Sequence, residues 1–177
     1  MTPQAPLPAT TPPTGRDTTP FDPEWQEKYH PWITTPERAI SLIKPGQRVF
    51  VGSGCGAPQA LVQALAAHGH TLADVEITHL FTLGDSPFND PTLKDIFTIN
   101  TFYVVEHATN EPRGGVEDYT PVAWSEIPPL FASRQMPLDV ALIQVTPPDH
   151  RGMVSLGIAV DVVKSAAANA ALVIAQV

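Results

Sequence analysis

The residues best suited to chemistry form the run Gly52-Ser53-Gly54-Cys55-Gly56-Ala57, continued by Pro58 and Gln59. Alternating glycines let a loop adopt positive φ and let a ligand come close to the backbone. The run follows a short β-branched stretch, Arg48 to Val51, and precedes an apolar stretch from Pro58 to His68 that reads as a helix closed by Gly69. Such a strand-loop-helix unit offers bare N–H groups at the positive end of a helix dipole. The chemistry open to it is a phosphate cradle or an oxyanion hole. The alternative is a tight turn that needs glycine only for its geometry.

The same loop satisfies the dinucleotide pattern G-x-G-x-x-G/A through Gly52, Gly54 and Ala57. That reading requires an acidic residue at the end of the next strand, about 20 residues on, to hold a ribose. Glu76 instead stands near the start of the run Val75 to Leu83, which weighs against a nicotinamide cofactor. Cys55 lies near a helix start, where a thiol can be activated, but no histidine is close in sequence to act as its base, so it reads as a small packing residue. His68 and His70 flank Gly69 while His79 falls inside an apolar run, so the three lack metal-ligand spacing and read as surface and core histidines. Asp149-His150-Arg151-Gly152 reads as a polar turn, and Ser155 to Gly157 follows it toward the cleft, as a substrate contact or as part of the turn. Arg113, beside Gly114 and Gly115, is a candidate partner for a carboxylate or a phosphate, against the alternative of a solvated loop charge.

Positioning these groups takes a folded core, and the composition provides for one. The 177 residues are 43% hydrophobic and 16% charged, within the range of globular domains. A net charge of -8, from ten Lys and Arg against eighteen Asp and Glu, leaves no electrostatic footprint for nucleic acid or an anionic membrane surface. A local site for one phosphorylated small molecule stays open. The single cysteine excludes an intrachain disulfide, and no apolar run approaches the ~20 residues of a membrane span, so a soluble, cytoplasmic protein is expected.

Residues 1–23 are rich in Pro and Thr and nearly free of large apolar side chains, as in a disordered leader. Residues 24–177 then form one domain. Phe21, Trp25, Tyr29 and Trp32 recur at helical spacing and are expected to dock on the core. Thr35-Pro36-Glu37 opens a helix that ends at Lys44-Pro45-Gly46, with Ala39, Ile40, Leu42 and Ile43 as its buried face. The apolar runs Val75 to Leu83, Ile99 to Val105, Leu138 to Val145 and Leu172 to Val177 read as central strands. Continuous rather than alternating apolar strands argue for a mostly parallel sheet with helices on both faces, a three-layer α/β/α fold. Met153 to Asp161 alternates with period two, as a strand or strand pair would, and Asp161 to Ala171 reads as the helix after it. Leu172 to Val177 reads as a buried strand with no covering element after it, as in one part of a larger protein.

The stretch from Ala39 to Val62, including Lys44-Pro45-Gly46 and the glycine loop, closely resembles the start of the acetyl-CoA hydrolase/transferase family. Three further segments agree in order and spacing. They are Glu76 to Gly84; Asp118-Tyr119-Thr120-Pro121 with Ser125-Glu126-Ile127-Pro128; and Pro137 to Asp149, running on to Gly152 and Ser155-Leu156-Gly157. The resemblance spans residues 25–177 and implies the class I CoA-transferase fold, in which two α/β halves face each other across the active site. It implies acyl-CoA and a small carboxylate as substrates, with coenzyme A a substrate rather than a resident cofactor. In this family a glutamate of the second half attacks the thioester, and the resulting anhydride is converted to a glutamyl thioester by returning CoA; covalent catalysis of this kind divides one hard exchange into easier steps.

No residue here matches that glutamate, and Glu111, Glu117 and Glu126 lie outside the family's catalytic motif. The chain is therefore expected to be the first half only, inactive alone, needing a second half or a complementary chain and assembling as a homo-oligomer. The resemblance places Gly54, Cys55, Gly56, Ala57, Pro58 and Gln59 at the cleft; Arg113, where the sequence departs from the family pattern at Glu111-Pro112, and Ser155 are further candidate substrate contacts read from the residues themselves. A Rossmann-type dinucleotide domain and a non-catalytic partner module are the competing readings.

Overall fold

The computed structural model describes residues 21–81, 86–103 and 117–177. Short helices α1 (Trp25–Lys28) and α2 (Pro36–Ile40) precede strand β1 (Arg48–Val51), helix α3 (Gln59–His68) and strand β2 (Val75–His79). Strands β3 (Phe97–Thr101) and β4 (Glu117–Tyr119), helix α4 (Ile127–Ala132), strand β5 (Val140–Gln144), helix α5 (Val163–Asn169) and strand β6 (Leu172–Gln176) follow. The six strands form one parallel sheet in the order β4-β3-β2-β1-β5-β6. This is the three-layer α/β arrangement expected from the continuous apolar runs.

Strand alternation sends successive side chains to opposite faces. On one face Leu172, Val140, Val49, Ile77 and Ile99 stand side by side in register across five strands. They pack with Ala39, Ile40 and Ile43 near α2 and with Leu61, Val62 and Leu65 of α3. On the other face Phe50, Ala141 and Ile143 meet Ile127 and Phe131 of α4 and Val163 and Ala166 of α5. Phe131 takes Phe50 and Phe102 edge-on, with ring centroids 5.9 and 6.1 Å away. Burying each such side chain stabilises the fold by about 1.5–3 kcal/mol.

The local signals for α2 hold: Thr35 caps it by accepting from the Arg38 amide, and Pro36 occupies its first turn. Several expectations are corrected. Helix α2 stops at Ile40 and turns, which swings Leu42 into solvent while Ile43 stays buried. The aromatic segment near the N-terminus buries no residue fully, and Trp32 is 77% exposed; it is held by the half-buried Tyr29, whose hydroxyl lies against Gly152, and by backbone, the Asp22 amide donating to Pro148 O at 2.8 Å. Gly69 does not close α3 in a left-handed conformation, because its φ is -48° and the chain continues into a 3-10 turn. It is glycine for space: a Cβ there would stand 2.9 Å from Leu93 Cδ2 and 3.0 Å from Phe97 Cε2.

Two corrections concern the sheet. Met153 to Asp161 is not a strand or a strand pair but irregular chain. It is held by Thr146, whose amide donates to Ser155 O and whose Oγ1 accepts the Ser155 amide, and by left-handed bends at Gly152 and Gly157. Strand β6 is the sheet's edge rather than a buried central strand, with Val173 and Val177 exposed. The expected leader, residues 1–23, falls almost wholly outside the described residues, as do residues 82–83 and 104–105 at the ends of two expected strands.

Candidate functional site

From β1 the chain steps outward through β2, β3 and β4, then returns to place β5 and β6 on β1's other side. The crevice at the C-terminal ends of β1 and β5 is thus the point where successive connections diverge, which is where open α/β sheets bind ligands. The glycine loop leaves β1 there. The segment after β5 folds back onto it so tightly that a Cβ on Gly56 would lie 2.5 Å from Ala159 Cβ.

The loop is a 3-10 turn, Gly54–Gly56, entered through Gly54 at φ +55°. That backbone conformation explains Gly54, and the contact with Ala159 explains Gly56. The amides are largely committed inside the protein. Gly52 donates to Leu142 O, Gly54 to Phe81 O, Gly56 to Ser53 O and Ala57 to Gly54 O, at 2.9 to 3.2 Å. In the first turn of α3 the Ala60 amide donates to Gln176 Oε1 of β6 at 2.9 Å. The expectation of a row of bare N–H groups is corrected accordingly: the helix start is capped from across the sheet, and these amides hold the loop's shape.

Beside the loop, on the α3 face of the sheet, lies a groove of about 440 Å³, part of it open to solvent. Val51, Val62, Ile77, Phe88 and Ile99 form its buried apolar lining, with Gly52 and Ala57 on the loop side. Gln59, His79, Ser86 and Pro87 are its more exposed members. Of the residues expected at the site, Ala57 and Gln59 reach this groove. Gly54, Cys55, Gly56 and Pro58 shape the turn beside it, Cys55 exposed and Pro58 buried. Ser155 is exposed on the returning segment, its Oγ accepting from the Gly157 amide. Arg113 and Glu111 lie outside the described residues. His79, Ser86 and Phe88 escaped the sequence reading. His79 does lie in a strand, as its last residue, and what the sequence reading overlooked is that this puts it at the ligand-binding end of the sheet.

Electrostatics separate the site from a polar network below it. Arg48 Nη2 donates to Glu76 Oε2 at 2.8 Å, and Glu76 Oε1 accepts from Thr78 Oγ1 and Asn100 Nδ2, each at 3.1 Å. Thr120 Oγ1 donates in turn to Asn100 Oδ1 at 2.9 Å, extending the chain to the edge of the sheet. Burial on its own would push Glu76 up, but the hydrogen bonds from Arg48 and Asn100, the Arg48 charge and Thr78 together hold it below the ordinary glutamate value. Asp149 is lowered chiefly by the Met153 amide, which with the Arg151 amide donates to Oδ1 and fixes the turn before the returning segment. Glu76 is therefore an ion-paired residue at the start of β2, and His79 ends that strand. Among the described residues no acid stands at the end of β2, where a dinucleotide ribose needs one, so the Rossmann reading lacks its second element there although the sheet order is of the doubly wound type. Among the described residues no group of three His, Cys, Asp or Glu side chains converges as a metal site, and no helix is long and apolar enough to cross a membrane.

Comparison with known proteins bears on the same residues. Residues 20–177 match the acetyl-CoA hydrolase/transferase N-terminal domain. The chain is 36% identical over 154 residues to the 4-hydroxybutyrate coenzyme A transferase of Clostridium kluyveri, covering 87% of this chain and 36% of that protein. It is 35% identical over 160 residues to the succinyl-CoA:acetate/propanoyl-CoA:succinate CoA transferase of Fasciola hepatica, covering 89% of this chain and 33% of that one. Among solved structures, the 4-hydroxybutyrate CoA-transferase of Porphyromonas gingivalis superposes with a TM-score of 0.68 at 28% identity, over 85% of this chain and 34% of that one. RipA of Yersinia pestis superposes with a TM-score of 0.73 at 25% identity, over 86% and 38%. The chain thus spans about a third of the length of the curated relatives it matches. It belongs to the acetyl-CoA hydrolase/transferase family, of which it carries the N-terminal domain.

Proposed function

We propose that this chain forms one wall of the active-site cleft of an acyl-CoA:carboxylate CoA-transferase, in which hydrolysis of the acyl-CoA results when water replaces the acceptor carboxylate. The observation that carries this reading is that the returning segment packs through Ala159 on the glycine loop at the C-terminal end of β1, and that the same loop borders an apolar groove lined from β1, β2, β3 and α3. Gly54 to Gln59 and Ser155 are assigned to the acyl side of that cleft, with Arg113 as the candidate cation for a carboxylate or a CoA phosphate. Coenzyme A enters as substrate. The nucleophilic carboxylate is assigned to a second half or a complementary chain, and the working unit to a homo-oligomer. A reducing, cytoplasmic setting fits the lone, exposed thiol of Cys55.

The test is CoA exchange between labelled acetate and an acyl-CoA, run on these 177 residues alone and again with the remaining part of a transferase of this family. Exchange that needs both parts supports the assignment. Exchange by this chain alone overturns it, since one of its own carboxylates would then be the nucleophile.

A further inference from the structure

We propose that Ser53 is a positioning residue for the glycine loop: its buried hydroxyl latches the loop to the chain leaving β2, and the latch sets where the loop stands against the reacting group. This inference rests on the transferase reading and adds a residue too buried to touch the substrate itself. Ser53 is 1% exposed although it sits between two glycines where the chain leaves the sheet. Burying a hydroxyl is unfavourable unless it is hydrogen-bonded, and Ser53 Oγ accepts the Leu80 amide at 3.3 Å. The next residue completes the contact, the Gly54 amide donating to Phe81 O at 3.2 Å. The Glu76 amide donates to Gln47 O, and the same register carried past the strand ends would set the Leu80 amide on Val51 O. The Ser53 hydroxyl takes that amide instead, so the loop is held where the β1–β2 ladder stops.

The chain on the far side of the latch is itself fixed. Leu80 is fully buried in the core on the α4 face, in one cluster with Phe50, Phe102 and Ile127, and Thr101 Oγ1 at the end of β3 lies 3.3 Å from Leu80 O. Toward β5 the loop is held by the Gly52 amide on Leu142 O at 2.9 Å. Among the described residues, the hydrogen bonds that hold residues 52–57 run from backbone to backbone except at Ser53, whose side chain supplies an acceptor. That is the point where a substitution can loosen the loop without altering its backbone. A loosened loop still binds the body of an acyl-CoA but meets the reacting carbonyl out of place. Contacts realised only in the transition state act on kcat, and their effect depends on fixed geometry.

The experiment uses the complete polypeptide that carries this domain and measures CoA exchange by S53A and S53C. Alanine removes the acceptor, whereas cysteine fills the site and accepts only weakly, so a loss shared by both belongs to the hydrogen bond and not to a cavity. Each variant is expected to lower kcat about tenfold, the size of one hydrogen bond lost, with KM for acyl-CoA within about twofold of wild type. A folded S53A or S53C protein with wild-type kcat, whatever its urea midpoint, overturns the inference and leaves the transferase reading intact, since Ser53 then only stabilises the fold. A raised KM at unchanged kcat overturns it as well. Wild-type polypeptide without exchange overturns the transferase reading, and the inference with it. The latch is also read without a variant: in the wild type the Gly54 and Leu80 amides are expected to be equally protected from hydrogen exchange, as two halves of one contact that open together. A Gly54 amide less protected than Leu80 by about tenfold or more overturns the latch even if neither variant folds.

Discussion

Gly56 and Ala159 show how one atom can tie two parts of a site together. Adding a methyl at Gly56 puts it 2.5 Å from Ala159 Cβ, inside any permitted contact. Gly56→Ala is therefore expected to destabilise the fold by about 1–3 kcal/mol through overpacking. Ala159→Gly in the same chain should recover most of that loss, because it removes the opposing methyl. Urea unfolding of the two single variants and the double variant measures the coupling; additive losses would show that the returning segment does not press on the loop. Glu76 makes a second case, and its signature is in pH. Its folded pKa lies below the ordinary value, so the stability it contributes is complete above about 4.3 and is lost as pH falls through the folded value. Glu76→Gln should cost about 1–3 kcal/mol at pH 7, and the gap between variant and wild type should close as the pH is taken from 5 toward 3. A gap constant with pH would separate Glu76 from the ion pair with Arg48. The sequence marked Glu76 only as wrongly placed for a ribose. Its partner is 28 positions away, and they meet because β1 and β2 pair with Arg48 opposite Glu76.

At the scale of elements, helix α3 has Pro58 at its cap, which provides no capping side chain of its own. The missing acceptor comes from β6 as Gln176 Oε1 on the Ala60 amide. Gln176→Ala is expected to lower stability by about 0.5–1.5 kcal/mol and to speed amide exchange in the first turn of α3 ahead of its later turns. Uniform acceleration along the helix would mean that the glutamine braces the edge strand and not the helix end. The strands and α3 were legible because long apolar runs and a following glycine loop leave few alternatives. The segment after β5 was misread for a physical reason. Its alternation of small and large apolar residues mimics a half-buried strand, but a strand also needs a neighbour with free backbone groups, and Thr146 with two left-handed glycines holds it in another path.

The whole molecule leaves Met153 and Ile158 at 66% and 79% exposure, with Val154 and Val160 also in solvent, on the segment that covers the glycine loop. Single exposed apolar residues are ordinary, but four within eight positions beside a candidate cleft call for a partner surface. Backbone amides of residues 153–160 are therefore expected to gain protection from hydrogen exchange when the remaining two thirds of a family member is present. Unchanged exchange there, with activity restored, would place the contact elsewhere on the domain.

Family, layer order and the glycine loop were determined by the sequence itself, because each rests on local pattern: β-branched runs, a proline-led helix start, glycines at fixed spacing. The groove was decided only by tertiary structure. Val51, Val62, Ile77, Phe88 and Ile99 come from three strands, a helix and a turn, and nothing in their separations along the chain says that parallel pairing in one register brings them around one space. The loop's amides follow the same rule. Glycine spacing shows that a backbone can receive a ligand, but whether its N–H groups are free depends on acceptors such as Phe81 O and Leu142 O, which distant strands bring to it.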